Sequence, residues 1–193
     1  MIKSGIRRLR SALGGSKSDM VKLRNEVLEN LDRPIPSDPE GLFESLRSYL
    51  EQQVGMPVEL IFKEFPEGTA SGLTLSLPGR RIIVVEENTG SLHKLVILAH
   101  EMWHCLRGGC HGHGSHPSEV AAAARSLSGE LKESDIVALA ARTSFDTREE
   151  NDAETFGLLM GSSFRAFLEE PPDPALGEGL AGRIQASLGH RGS

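Results

Sequence analysis

The sequence LAHEMWHCLRGGCHGH, from Leu98 to His113, decides where the main helix and any reactive side chains of this chain lie. Apolar residues line much of the circumference between Leu92 and about Leu106, a pattern that predicts a largely buried helix. The pair Gly108-Gly109 favours the end of that helix. We therefore expect a buried helix followed by a loop that is rich in glycine and histidine.

Within that helix, His100, Glu101 and His104 form the pattern H-E-x-x-H. Histidines four positions apart lie on one helix face, one turn from each other, where both imidazoles can share one metal ion. Zinc binds imidazole nitrogen at about 2.0–2.1 Å and lowers the pKa of a water ligand. A neighbouring carboxylate can take the proton of that water. The pattern predicts a catalytic zinc ion held by the two histidines, with Glu101 as the general base.

A third ligand is expected from TREENDAETFGLLM, residues 147–160, which also shows a helical pattern. Glu150 and Glu154 lie four positions apart and share a helix face. We predict that Glu150 is the ligand and that Glu154 bonds the other nitrogen of a ligand histidine, which would fix its tautomer. Glu149 and Asp152 remain alternative ligands, and Asp152 is a further candidate for the outer shell. All four acids could instead be solvated helix charges.

The residues before the motif predict two helices and a small sheet. Apolar spacing indicates one helix over about Lys17–Leu31, and a second, capped by Ser37 or Asp38, that runs to about Gln53. The segments PVELIFKEF, GLTLSL and RRIIVVEE are each typical of a strand. The predicted fold class is α+β, with a small, mostly antiparallel sheet of about three strands packed against helices, including the H-E-x-x-H helix. Further helices are expected near Glu119–Ser126, near Glu133–Arg142 and over about Thr147–Phe167.

Composition and charge limit the classes of function. The formal charge of −6 argues against a general nucleic-acid binder, although the first 24 residues are locally basic. No apolar run approaches the roughly 20 residues of a membrane span, and the N-terminus lacks the apolar core of a secretory signal. The two cysteines do not make a disulfide framework. We expect a cytoplasmic protein with neither membrane attachment nor direct binding to nucleic acid.

Several metal-binding residue types near the motif have simpler interpretations. Cys105 follows His104 on a different helix face, so a buried, inert thiol is expected. Trp103 is expected to pack in the core. The following loop also carries Cys110, His111, His113 and His116. We interpret these as surface residues; the alternatives are a second metal site, a histidine that steadies an oxyanion, and a Cys110 thiolate on the open zinc position.

The two motifs together resemble the ImmA/IrrE-type metallopeptidases. ILAHEMWH follows a short sheet and two helices, and ENDAETFGLLM is similar to the second motif of that family, E-x-E-A-[NDE]-x-F-A. Glu150 matches the first acid, the third zinc ligand of the family, while Asp152 replaces the usual glutamate. The resemblance covers about residues 18–167 and extends to short actinobacterial members. It implies a zincin-like metallopeptidase domain over residues 18–168, between a basic extension (1–17) and a flexible Pro/Gly-rich tail (169–193).

The resemblance implies a zinc-dependent endopeptidase whose protein substrate is a helix-turn-helix transcriptional repressor, of the kind encoded in mobile elements or toxin–antitoxin-like pairs. An extended substrate could pair with the edge of the strand near Arg81–Val85. The alternative is a regulatory protein on the same scaffold that sequesters a repressor without cutting it. Glu101 favours catalysis, because a structural zinc ion requires no base. The ligand set would also suit other divalent ions.

Overall fold

The computed structural model describes residues 17–31, 38–66, 70–107 and 147–168. These ranges contain four helices: α1 (Lys17–Asn30), α2 (Pro39–Val54), α3 (Ser91–Arg107) and α4 (Thr147–Leu168). They also contain three strands: β1 (Val58–Lys63), β2 (Gly72–Leu77) and β3 (Arg80–Glu86). The predicted α+β class is therefore confirmed, and the four helices lie where the sequence predicts them.

Other predictions fall on segments outside the described residues. These are the helices near Glu119–Ser126 and Glu133–Arg142, the loop that follows Arg107, the extension before Lys17 and the tail over residues 169–193. The predicted domain boundaries therefore stay predictions. Within the described ranges, no helix combines the length and apolar character needed to cross a membrane.

Helix α2 shows why the local sequence sets the helix ends. The Asp38 carboxylate accepts a hydrogen bond from the backbone N–H of Gly41 at 2.7 Å, and Pro39 takes the first helical position. Both features are favourable at a helix N-terminus. At the other end, Gly55 adopts a φ of +71° and donates its N–H to the carbonyl of Glu51 at 2.9 Å. The left-handed backbone there favours glycine.

The sheet is mixed, with the strand order β1-β3-β2. Strands β2 and β3 form an antiparallel hairpin through Pro78-Gly79, where Gly79 has a φ of +81°. Strand β1 instead runs parallel to β3. The prediction of a mostly antiparallel sheet is therefore correct for one pairing and wrong for the other. The run Ile82–Val85 of β3 is buried on both faces, and such a continuous apolar run is typical of strands in parallel pairings.

The central position of β3 corrects a second expectation. Both of its edges are paired, so the strand near Arg81–Val85 cannot offer an edge to a substrate. Within the described ranges, β2 pairs only with β3 and is an outer strand. The two faces of the sheet bury separate clusters: Ile83 and Val85 belong to the core shared with the helices, and Ile82 and Val84 to a second cluster.

Helix α4 packs closely along α3 because small residues face the contact. A Cβ built on Gly157 would lie 2.7 Å from the carbonyl oxygen of Val96, and one on Gly161 would lie 2.8 Å from Val96 Cγ2. Further along, the rings of Trp103 and Phe156 meet with centroids 5.3 Å apart. Larger residues at either glycine would push the helices apart. This packing therefore sets how closely the first turn of α4 approaches the histidines of α3.

Candidate metal centre

The structure brings together the three residues predicted as metal ligands. The Nε2 atoms of His100 and His104 lie 3.2 Å apart on one face of α3. The carboxylate of Glu150 approaches from α4, with Oε2 3.4 Å from His100 Nε2 and Oε1 3.5 Å from His104 Nε2. Ligands of a tetrahedral zinc site, at about 2.0–2.1 Å from the ion, are about 3.3–3.4 Å from each other. The three distances are close to this spacing, but the two carboxylate distances end on different oxygens of Glu150. One ligand atom from each of the three residues lies within 4.8 Å of the other two, so this group could hold a metal.

The second nitrogen of each histidine also faces a carboxylate of α4. His104 Nδ1 lies 3.5 Å from Glu149 Oε1, and His100 Nδ1 lies 3.8 Å from Glu154 Oε2. Glu154 thus lies on the predicted side of a ligand histidine, beyond direct hydrogen-bond distance. Glu149, considered from the sequence as an alternative ligand, instead lies beside the outer nitrogen of His104. Asp152 is partly buried and is not part of the group of three.

The electrostatics of the site favour a cation. Burial acts to lower the pKa of His100, but its hydrogen bond with Glu150 and the negative charges of Glu101, Glu150 and Glu154 outweigh burial and raise that pKa. His104 is fully buried within the same group. A field that stabilises a proton on His100 also stabilises a divalent ion, because both are positive charges among carboxylates. The donor set of two imidazoles and a carboxylate therefore fits a divalent metal.

Glu101 is a buried carboxylate on the side of α3 that faces the sheet. Only 3% of its surface is exposed, and its Oε2 accepts a hydrogen bond from Thr74 Oγ1 at 2.7 Å. A Cβ built on Gly72 would lie 2.7 Å from Glu101 Oε1. Burying a carboxylate is unfavourable unless polar groups compensate it, which Thr74 does in part. Strand β2 thus contacts the predicted general base directly.

Sequence reasoning did not identify Thr74 or Gly72. The available signal was the alternation in GLTLSL, which places Gly72, Thr74 and Ser76 on one face of β2 and leucines on the other. A face of small and polar residues on a strand that packs against a helix indicates a close approach or a polar partner. Nothing in the sequence specified that the partner would be Glu101.

The residues around the motif that were interpreted as structural are buried. Cys105 is fully buried, and its Sγ lies 4.0 Å from Thr74 Oγ1, away from the three ligand atoms. Trp103 is buried against Phe156, and the guanidinium of Arg107 covers its ring at 5.2 Å. Core packing is therefore confirmed for Trp103 and burial for Cys105. Outside the described residues lie Cys110, His111, His113 and His116.

Comparison of the chain with protein-family models, with curated proteins and with solved structures returned no match. The resemblance of the two motifs to ImmA/IrrE-type metallopeptidases is thus neither supported nor contradicted by relatives. The geometry of the site itself is the basis on which a function can be assigned.

Proposed function

We propose that this chain is a zinc-dependent endopeptidase in which His100, His104 and Glu150 hold the ion and Glu101 is the general base. The observation that carries the proposal is the convergence of His100, His104 and Glu150, whose ligand atoms all lie within 4.8 Å of one another, next to a buried carboxylate. Three protein ligands are typical of catalytic zinc sites, which keep one position for water or substrate, whereas structural sites use four. A purely structural site does not require a base such as Glu101.

The side chains of this site would divide the chemistry among them. A bound zinc ion supplies a Lewis acid that lowers the pKa of a water ligand. Glu101 accepts a proton from the attacking water and then donates it to the amine nitrogen of the leaving segment, acting first as base and then as acid. Glu149 and Glu154, beside the Nδ1 atoms of the two histidines, favour the tautomer in which Nε2 carries the lone pair.

An extended peptide is the substrate shape that the neighbouring strand supports. Strand β2 is one of the two outer strands of the described sheet, and it is the one whose residues Gly72 and Thr74 lie against Glu101. A peptide added to a free strand edge is held by main-chain hydrogen bonds, with little dependence on its sequence. We therefore assign the edge of β2, in place of the edge near Arg81–Val85, as the surface along which a peptide lies.

The identity of the protein substrate is proposed from the motifs alone. The resemblance of H-E-x-x-H and ENDAETFGLLM to the ImmA/IrrE type supports a helix-turn-helix repressor as the protein that is cut. Sequestration of a repressor without cleavage is the competing outcome. The two differ in their dependence on Glu101, because sequestration requires no base.

The decisive experiment compares the wild-type chain with Glu101→Gln. The charge-matched control is Glu29→Gln, an exposed substitution on α1. Metal content is measured for all three, and each is incubated with a bacterial lysate whose new protein N-termini are then labelled and identified. We expect one zinc ion per chain in every protein, and new N-termini with the wild type and the control only.

Two outcomes would contradict the proposal. Equal cleavage by Glu101→Gln would remove Glu101 from the chemistry. A wild-type chain that binds zinc and captures a helix-turn-helix protein, yet produces no new N-termini from it, would establish the sequestering alternative.

A further inference from the structure

We propose that Thr74 and Gly72 are positioning residues that hold the Glu101 carboxylate in a single orientation. The inference rests on the proposed function, since it concerns the residue assigned there as the general base. Both positioning residues lie on β2, while Glu101 lies on α3. The orientation of the base would thus be set by the sheet, separately from the ligands supplied by α3 and α4.

The first contact is a hydrogen bond between buried groups. Thr74 is 1% exposed, and its Oγ1 donates to Glu101 Oε2 at 2.7 Å. Hydrogen bonds to a carboxylate are shorter and about twice as strong as those between neutral groups. A β-branched side chain on a strand has few χ1 rotamers, so the direction of the Thr74 hydroxyl is restricted as well. This contact fixes one oxygen of the carboxylate.

The second contact is steric and involves the other oxygen. At Gly72 an added Cβ would lie 2.7 Å from Glu101 Oε1 and 2.6 Å from Ile97 Cγ2, both shorter than side chains tolerate. Glu101 Oε1 therefore uses the room left by the missing side chain. With Oε2 bonded to Thr74 and Oε1 packed above Gly72, rotation of the carboxylate about its terminal bond is opposed on both sides.

The orientation of a general base has a direct effect on rate. The base must lie within about 2.6–3.2 Å of the atom that gives up its proton. A displacement on the order of 1 Å in a reacting geometry can reduce the rate about 100-fold. A carboxylate without partners would rotate among several orientations, of which few point at the attacking water. Thr74 and Gly72 would act by removing the unproductive orientations.

The activity test uses Thr74→Val and Thr74→Ser on a peptide that spans the first cleavage site mapped with the wild-type chain. Valine keeps the shape of threonine and removes the donor, while serine keeps the donor. We expect Thr74→Val to lower kcat by about 10- to 100-fold with KM and zinc content unchanged, and Thr74→Ser to remain within a few-fold of wild type. Ser45→Ala, which removes another buried hydroxyl on α2, should leave kcat unchanged. Wild-type kcat in Thr74→Val, or an equal loss in Thr74→Ser, would overturn the positioning role.

A second test needs no activity and uses the zinc-free full-length chain. Unfolding by urea is measured for wild type, Thr74→Val, Glu101→Met and the double variant, since methionine has a similar length but no carboxylate. If the hydrogen bond exists, the effects of the two substitutions on the unfolding equilibrium constant will be coupled by about 10-fold. Purely additive effects would overturn the contact.

The two tests separate failure of this inference from failure of the proposed function. In one outcome the wild-type chain cuts nothing, while the urea experiment shows that the effects of Thr74→Val and Glu101→Met are coupled. That result overturns the endopeptidase proposal and supports the Thr74–Glu101 contact. An active wild type whose Thr74→Val variant is equally active supports the endopeptidase and overturns the positioning role.

Discussion

At the candidate metal centre, helix α3 contacts charged side chains of α4 and small, uncharged residues of β2. On the α4 side, two histidines meet Glu149, Glu150 and Glu154, a charged and partly exposed group. On the β2 side, Glu101 meets Thr74 and Gly72 in a buried contact with one short hydrogen bond. The α4 side gathers negative charge that a cation would neutralise, whereas on the β2 side the Thr74 hydroxyl compensates the buried carboxylate in part. Metal should therefore change the α4 side far more than the β2 side.

The largest expected effect comes from removing Glu150, the proposed ligand on α4. Glu150→Ala should weaken zinc binding by more than about 100-fold, since losing a ligand exceeds the 10- to 100-fold typical of outer-shell changes. Asp152→Ala is the matched control on the same helix and should bind zinc like wild type. Isothermal titration of the zinc-free proteins measures both affinities. The assignment of Glu150 is wrong if Asp152→Ala loses zinc affinity and Glu150→Ala binds zinc like wild type.

A substitution in the α3–α4 contact tests whether the distance between the two helices controls zinc binding by His100, His104 and Glu150. Gly157→Ala places a Cβ 2.7 Å from the Val96 carbonyl, so the helices must move apart at a cost of about 1–3 kcal/mol in stability. Because Glu150 lies two turns earlier on α4, zinc affinity should also fall. Ser162→Ala, an exposed change on the same helix, should alter neither quantity. Urea unfolding and zinc titration give the two readouts, and a stability loss with unchanged zinc affinity would show that Glu150 adjusts independently.

The pH dependence should have opposite signs without and with zinc. In the zinc-free chain the pKa of His100 is raised, so its protonation stabilises the fold at low pH. That contribution is fully present below about pH 6.5 and is lost as the pH rises through the raised pKa. Zinc needs the neutral imidazole, so below that pKa its affinity should fall about tenfold per pH unit.

Thermal unfolding with and without zinc, between pH 5 and 9, measures how Tm depends on pH in each state. This interval includes the ordinary pKa of histidine, about 6.5. The shift of Tm caused by zinc should grow with pH while the stability of the zinc-free chain declines. His93→Gln, an exposed change on α3, should keep both trends. A zinc effect that is constant over this range would mean that His100 is not a ligand.

The sequence predicted those features that depend on short-range spacing. The four-residue interval between His100 and His104 places them on one face of any α-helix, and Asp38 accepts a hydrogen bond from the Gly41 N–H of its own helix. Glu150 was predictable because it shares a helix face with Glu154, four positions later, and because the resemblance also ranks it over Asp152. Each of these depends on a few neighbouring residues or on a motif.

The features that sequence reasoning missed depend on contacts between distant segments. Strand β1 pairs in parallel with β3 and not with β2, its neighbour in the sequence, and no local pattern specifies that pairing. Which acid of α4 reaches His104 depends on how α4 crosses α3, and the crossing depends on Gly157 and Gly161. The contact of Thr74 with Glu101 depends on how β2 packs against α3, two elements that are separated in the sequence. The chemical role of a residue was therefore easier to predict from the sequence than the residue that it contacts.

The smallest expected effect distinguishes the two outer carboxylates on the α4 side. Glu149 is 29% exposed and lies 3.5 Å from the Nδ1 of fully buried His104, whereas Glu154 is 62% exposed and lies 3.8 Å from that of His100. A closer and less solvated carboxylate interacts more strongly with its imidazole, because water screens it less. Glu149→Gln should therefore weaken zinc binding by about 10-fold and Glu154→Gln by less than that. Titration with zinc decides the order, and a larger loss in Glu154→Gln would show that the sequence-predicted partner, not the nearer one, fixes the histidine tautomer.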